Sequence, residues 1–462
     1  ILIFVKKQQM KTEFDVRSYP INRICLKTKA LLISTIFVIA FQLKVLAQEQ
    51  AVIIVNDTIL PVNLDEVIVI GYTKYKRSEV TGSAVELEQE QLTDIVAPSV
   101  DQALQGKVAG LSVATNSGTP GSTSQIRIRG ISSITAGNEP LYVIDGVPIS
   151  NGNVSTSTAT SFFSNLASVD VNNIESLTVL KDASATAQYG ARGANGVIVI
   201  TTKTGKAGKT QFSFNSTYGF SNDAVDGPDP LNTVQRLELL SEAYYNDGFF
   251  GSEAEAEAYL LARDPYLTWD ADGRPEGNWK EAIRNKDAVT QQYAFNANGG
   301  QENYNFNVGL GYMSQEGTVI GSEFERINGS VSFGVDLTDK FKFTTSNEGS
   351  FQEQDAFLER SAYFEGARTS IFFQPPYNIP YNDDGTINEF GGSLPNPIYI
   401  SKYNVNDNTL ARIRSNNQIT WDIGNGFDFS SRFAIDYQVY NSRGYNNRNY
   451  GYSAANNGDA SQ

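Results

Sequence analysis

The chain has 462 residues, with 36 Lys/Arg against 51 Asp/Glu, a formal charge of −15 and no histidine. So acidic a chain is a poor partner for nucleic acid, whose phosphates are held by Lys and Arg. Its one cysteine is Cys25, so downstream of that residue Ser-His-Asp and Cys-His nucleophiles, His/Cys zinc sites and haem or iron–sulfur ligation are excluded. Carboxylate chemistry is the main enzymatic option left, and no pair of carboxylates can be assigned to a cleft from spacing. The chain is therefore read as a non-enzyme, with no cofactor.

Residues 1–47 concentrate positive charge and end in an apolar run, Ala30–Leu43, preceded by Lys27 and Lys29. Val45-Leu-Ala47 supplies small residues for cleavage. This is the three-part pattern of a secretory signal peptide, expected to be removed near Gln48. The run is short for a helical membrane span. Cys25 precedes it, the wrong place for a lipidated mature N-terminus. Residues 48–63 read as a connector.

Next comes Leu64-Asp-Glu-Val-Ile-Val-Ile-Gly-Tyr72, an extended β-prone segment with acids at its start. Two readings stand at this point. The segment adds itself as a strand to a partner's sheet edge, with main-chain bonds giving affinity, or it is simply the first strand of the domain that follows. That domain, over residues 73–205, reads as compact α+β. Short apolar runs bounded by Gly, Pro and Asn-Gly predict strands, and Ser99–Gln105 and Asp182–Tyr189 predict short helices, the second capped by Asp182 and stopped by Gly190. Arg127 and Arg129 stand two apart on a predicted strand and so share one face. They are candidates for a latch to acids on a surrounding wall, or a solvated face. The Gly190, Gly193, Gly196 series leads into a strand rather than a helix, and Gly208-Lys-Thr210 lacks the upstream glycine, so no phosphate loop is assigned.

From Thr210 onward the pattern changes to period two, and residues 206–462 are read as the barrel part. In Asn303–Tyr312, residues Tyr304, Phe306, Val308, Leu310 and Tyr312 face one side, and Asn303, Asn305, Asn307, Gly309 and Gly311 the other. Ile327–Leu337 repeats this, and Gln211–Phe220, Gln292–Gly299, Lys340–Phe351, Arg412–Ile423 and Phe427–Tyr440 are similar runs. Runs of about 10 residues with one apolar and one small-polar face mark outer-membrane barrel strands. Aromatics at run ends (Tyr218, Tyr293, Tyr312, Trp421) suit interfacial girdles. Short turns near 300–303 and 337–340 alternate with long connections over 221–290, which holds a helical run at Thr233–Tyr245, and over 352–408. Asp270–Glu276 and Asn382–Asn388 resemble halves of calcium loops, but Asp-Gly is also a common turn dipeptide and the bidentate Glu is missing. The Tyr-, Asn- and Arg-rich tail, Tyr437–Tyr452, suits glycan binding, but a wet pore lining or a loop would use the same residues.

Three blocks carry a family resemblance: Ile-Arg-Ile-Arg-Gly at 126–130, Val-Ile-Asp-Gly-Val-Pro at 143–148, and Val-Leu-Lys-Asp-Ala-Ser-Ala-Thr-Ala-Gln-Tyr-Gly-Ala-Arg-Gly-Ala-Asn-Gly-Val-Ile at 179–198. They resemble the plug domain of TonB-linked outer-membrane proteins, in particular the SusC/RagA family of Bacteroidetes nutrient importers. The likeness runs over about residues 64–345. It implies an α+β plug domain followed by the N-terminal part of a transmembrane antiparallel β-barrel, about 22 strands when complete. The visible strands are then roughly the first third, so the expectation is a piece of a longer protein. The resemblance makes residues 64–72 the TonB box, with Asp65, Glu66, Val67, Ile68, Val69, Ile70 and Gly71 matching it. It implies TonB with ExbB/ExbD in the periplasm, a SusD-like surface lipoprotein over the barrel mouth, outer-membrane lipid around the barrel, and a glycan or peptide as cargo. A surface adhesin or structural barrel without transport is the alternative, though it would need neither box nor plug.

Overall fold

The computed structural model describes residues 67–70, 73–76, 84–115, 117–134, 137–149, 163–264, 267, 276–356, 366–389, 394–447 and 459–461. The expected signal peptide and connector lie outside them.

The described chain opens with two short strands, β1 (Val67–Ile70) and β2 (Thr73–Lys76), paired antiparallel with each other alone. The plug follows. Its sheet is built from β3 (Ala84–Glu88), β6 (Leu141–Ile144), β7 (Val147–Ile149), β8 (Ile174–Leu180) and β9 (Val197–Thr202), in the order β3-β8-β9-β6-β7. Between β3 and β6 lie α1 (Gln89–Leu92), α2 (Val100–Ala103) and a separate hairpin, β4 (Leu111–Thr115) with β5 (Ser124–Ile128). A helical turn, α3 (Ala183–Thr186), joins β8 to β9.

The central strands β6 and β9 read Leu-Tyr-Val-Ile and Val-Ile-Val-Ile-Thr-Thr, continuous apolar runs that require cover on both faces. They pair parallel, while every other pairing in the sheet is antiparallel. Side chains divide between the faces by period two. Leu177, Val179, Ile198 and Ile200 enter one apolar cluster, whereas Leu180, Val197, Val199, Leu141 and Val143 enter the other. Asp145 and Gly146 turn β6 into β7 with φ of 48° and 78°. Both central residues of such a tight hairpin need positive φ, which Asp-Gly tolerates. The Asp145 carboxylate also accepts from Thr202 N at 2.9 Å and Thr202 Oγ1 at 2.7 Å, fixing the hairpin to β9.

The second body is one antiparallel sheet in strict sequence order: β10 (Gly208–Ser221), β11 (Ala288–Gln301), β12 (Tyr304–Glu316), β13 (Glu323–Thr338), β14 (Phe341–Asp355), β15 (Val405–Gly424), β16 (Phe427–Asn446) and the short β17 (Asp459–Ser461). Every period-two run forms a strand. The strands run longer than the runs because the pairing continues through polar ends, as in β15, where Val405–Thr409 pairs with Tyr445–Asn441. Phe212, Phe214, Ile327, Val331, Phe429, Phe433 and Tyr437 stand exposed on the outer face. So large an apolar surface is a lipid face rather than a soluble one. The opposite face of β12 and β13 is buried against the plug. Among the described residues no helix is long and apolar enough to cross a membrane.

The two long connections form a cap at one rim. Residues 222–287 hold α4 (Thr233–Asn246), α5 (Glu253–Arg263) and α6 (Trp279–Ala282), and residues 356–404 hold α7 (Ala367–Ser370) and α8 (Pro397–Tyr403). Helix α4 starts where a capping box allows: Gln235 N donates to Asn232 Oδ1 and Asn232 N to Gln235 Oε1. Buried Trp279 packs with Ile283, Ile371 and Ile398, joining the two connections. Asp223 receives Thr318 Oγ1 and Arg368 Nη2, both at 2.7 Å, tying the cap to the rim. The alternation of short and long connections fails once, since residues 317–322 make a short turn on the long-loop rim. Gly317 N there donates to Ser322 O at 2.9 Å and closes the turn tightly.

Candidate functional site

The first candidate is the strand Val67–Ile70. Its register with Thr73–Lys76 runs from Val67 against Lys76 to Ile70 against Thr73. The edge of the plug sheet is β3, so the reading of residues 64–72 as the first strand of that sheet fails. Val67, Ile68, Val69 and Ile70 form a strand outside the plug sheet, within a ribbon of two strands that is marginal alone. Asp65, Glu66 and Gly71 lie outside the described residues.

The second candidate is the contact between plug and barrel wall. Residues 163–173 form a strap across the inner face of β13–β15. Phe163 and Ala167 pack with Met313, Phe324 and Leu410 of the wall. Beside this apolar patch stand two buried arginines. Arg326, on β13, is 1% exposed. Its Nη1 donates to the carbonyls of Pro98 (3.0 Å), Ala167 (3.0 Å) and Val169 (3.3 Å), and its Nη2 to Asp170 Oδ1 (3.2 Å). Asn328 Nδ2 reaches the second Asp170 oxygen at 3.1 Å. Asp170 also caps the 3-10 turn Val171–Asn173 by accepting from Asn172 N at 3.0 Å. Arg412, on β15, donates from Nη1 to Asn165 Oδ1 (3.0 Å) and Ser168 Oγ (3.2 Å) while Nε holds Asp436 (2.8 Å).

This seam works because the wall's inner face is small and polar. A Cβ at Gly311 would collide with the Asp170 carboxylate, and one at Gly309 with Ser330 Oγ of the neighbouring strand. Gly311 is thus a point of close approach by the strap. Arg326 Nε, Asn328 Oδ1 and Ser330 Oγ are buried without a protein partner, groups that ordered water ordinarily satisfies. Further contacts run toward the short-turn rim. Asn416 Nδ2 donates to Asp145 O at 3.0 Å, and Asn298 Nδ2 to Thr204 O at 3.0 Å.

Within the plug, Asp101 ties α2 to β5 and to the strap. It is buried, accepting from Ser124 N at 2.7 Å and Ser164 Oγ at 3.4 Å. Burial pushes its carboxyl above the ordinary 3.8, against hydrogen bonds from Ser99, Ser124 and Ser164 that pull it down. An acid with a raised folded pKa supports the fold below its ordinary value, and that support is lost as pH rises through the raised value. Asp101→Asn keeps an acceptor without the charge. It should therefore flatten the pH dependence of proteolysis within the plug of the full-length receptor. Asp101→Leu leaves Ser124 N–H unpaired and should cost about 1–3 kcal/mol; a pH series of limited proteolysis on both variants checks this.

The expected latch residues behave otherwise. Arg127 lies on β5 and donates to Gln125 Oε1 at 3.0 Å. Arg129 lies beyond the end of β5 with φ of 60°, so the two do not share a strand face. Arg129 pairs with Asp182, inside the plug. That pairing also explains why Asp182, though at the N-terminus of α3, makes no capping bond. Among the described residues Arg326 and Arg412 of the wall bond to the strap, and the Arg432 guanidinium lies against Gly146 of the plug. Sequence reasoning missed them, although Arg326 continues the inward series Asn328, Ser330, Ser332 and is its one cation.

Neither calcium loop gains support. In 382–388 the Asp384 carboxylate accepts from Thr386 N and Thr386 Oγ1, a local turn closed by the Tyr381–Ile387 bridge. Residues 270–275 lie outside the described residues, and Glu276 is occupied by Thr233 N at 2.7 Å. Among the described residues no group of three or more His, Cys, Asp or Glu could hold a metal.

Comparison with known proteins agrees with this geometry. Residues 76–197 match the TonB-dependent Receptor Plug Domain family. The chain is 36% identical to the TonB-dependent receptor SusC of Bacteroides thetaiotaomicron over 403 residues, covering 85% of this chain and 37% of that protein. The chain belongs to the SusC/RagA family of TonB-dependent receptors. TonB-dependent receptor P26 of Formosa agariphila is 34% identical over 349 residues, 74% of this chain and 32% of that one. Among solved structures, the RagAB peptide importer in its open-open state superposes with a TM-score of 0.68 at 25% identity, covering 84% of this chain and 44% of that one. Its closed-closed state gives 0.66. The chain thus spans about a third of the length of its curated relatives. Like its family, it is an α+β plug followed by antiparallel barrel strands, here a sheet that does not close on itself.

Proposed function

We propose that this chain is the plug and first barrel strands of an outer-membrane importer energised by TonB. The observation that carries the reading is a plug held on the wall's inner face with one strand left outside its sheet. A short strand, Val67–Ile70, stands outside the plug sheet, and the plug is bonded to the inner face of a lipid-facing wall. The outer membrane has no ATP, so work must arrive mechanically from the periplasm. A strand that pairs by its main chain is a handle for such a pull. In this reading TonB, with ExbB/ExbD, grasps residues 65–71, and Asp65, Glu66 and Gly71 complete the handle. A SusD-like lipoprotein covers the mouth, and the cargo is a glycan or peptide, the second being what the RagAB importer carries. Cells expressing the full-length receptor should bind the cognate nutrient with or without TonB, but import it only with TonB. Import at an unchanged rate in cells lacking TonB would overturn the reading.

A further inference from the structure

Arg326 sits where three parts of the molecule meet. It rises from the wall and takes the carbonyls of Ala167 and Val169 and the carboxylate of Asp170, all in the strap. It also takes the carbonyl of Pro98, in the segment that leads from the box into the plug. One guanidinium therefore ties the entry segment to the strap and both to the wall. It is buried and charged, so these are hydrogen bonds of the strong kind, and little water competes for them.

Restraint on the N-terminal side of Pro98 is slighter. β3 is an edge strand with β8 as its only neighbour, paired from Ala84–Leu180 to Glu88–Ser176. α1 is held by Gln89 Nε2 on Asn172 O at 3.3 Å and by Lys107, which reaches Gln91 O and the exposed Asp94. Leu87, Leu92 and Ala97 of this stretch are buried in the core, with Val85 and Ala84 half-buried beside it and Val96 against the Phe163 patch. An edge strand leaves a sheet without breaking any other ladder, and the least restrained units open first.

Resting on the import reading, we propose that Arg326 is the positioning residue at which TonB-driven extraction of the plug halts. Residues 84–97 leave the barrel under tension, whereas from Ser99 onward the plug stays docked on β13–β15. Fully extended, residues 84–97 span about 50 Å, so a long pull is absorbed before force meets the anchor. The edge of β8 is uncovered and the strap does not move.

The test uses the full-length receptor in cells, with Cys25 replaced by Ser and single cysteines placed at three buried positions: Leu92→Cys, Ala103→Cys and Ala167→Cys. Labelling by a small maleimide is followed in the presence of nutrient, with and without TonB. Leu92→Cys should label about tenfold faster with TonB, and the other two should change less than about twofold. Adding Arg326→Gln should make Ala103→Cys label in a TonB-dependent way as well. Arg326→Leu, which removes the same hydrogen bonds and puts no polar side chain in their place, serves the same purpose should Arg326→Gln not reach the membrane. With uptake dependent on TonB, equal labelling of Ala103→Cys and Leu92→Cys while Arg326 is intact overturns the proposal, as does a Leu92→Cys that stays protected. Uptake that ignores TonB in the wild type removes the import reading itself, and the proposal with it.

Discussion

Val67→Pro or Val69→Pro in the full-length receptor is expected to abolish import while nutrient binding at the cell surface survives. Residues 67–70 form a strand whose described partner is Thr73–Lys76. Successive N–H groups of a strand point to opposite edges, so Val67 and Val69 donate toward one edge and Ile68 and Ile70 toward the other. Proline at either position removes a donor and imposes its own φ, and it is disfavoured inside a strand. Val67→Ile keeps the donor and the β-branched shape and should be nearly silent. In the proposed reading residues 65–71 meet TonB and the nutrient enters at the long-loop rim, so binding and import should separate in the same variant. The measurement is uptake of labelled nutrient against surface binding in one strain. Import at the wild-type rate in both proline variants would show that this strand does not couple energy.

Much of the fold was legible because its signals are local. Asn-Tyr-Asn-Phe-Asn-Val-Gly-Leu-Gly-Tyr alternates without a break, and a strand with one lipid face and one small-polar face has no other way to write itself. Asp145-Gly146 between apolar runs set the β6–β7 turn, and Asn232 with Gln235 set the start of α4. The site was less legible because it is made of partners far apart in the chain. Arg326 and Asp170 are 156 residues apart, and no periodicity connects them. The Arg127/Arg129 expectation failed on one dihedral. It assumed the strand ran through Arg129, but the backbone turns there with positive φ and hands that side chain to Asp182. The inward polar series on β13 did hold the clue. A lone arginine among Asn, Ser and Gly on a face that packs against another body must bring its acceptors with it, because an unpaired buried charge is costly.

That cost gives the second large effect. Asp170→Ala should loosen the plug by about 3–5 kcal/mol, the range for removing one partner of a buried ion pair. The pair is enclosed, with side chains 1% and 5% exposed. Removing the carboxylate strips Arg326 of the one acid paired with it among the described residues, takes the partner of Asn328 Nδ2, and uncaps the Val171–Asn173 turn. Asp170→Asn should cost less, because one oxygen still accepts. The contrast is Arg443 with Asp407, the same chemistry at the surface, where Arg443 is 64% exposed. Arg443→Ala should change stability by less than about 1 kcal/mol, since solvent already screens that pair. The readout is leakage through the barrel of the full-length receptor: conductance in planar bilayers and entry of a large antibiotic that the outer membrane normally excludes. Asp170→Ala should raise both well above wild type, and Arg443→Ala neither. Equal leakage from the two variants, or none from Asp170→Ala, would mean that the strap is held by its apolar patch around Phe163 and Phe324 and not by the buried arginine.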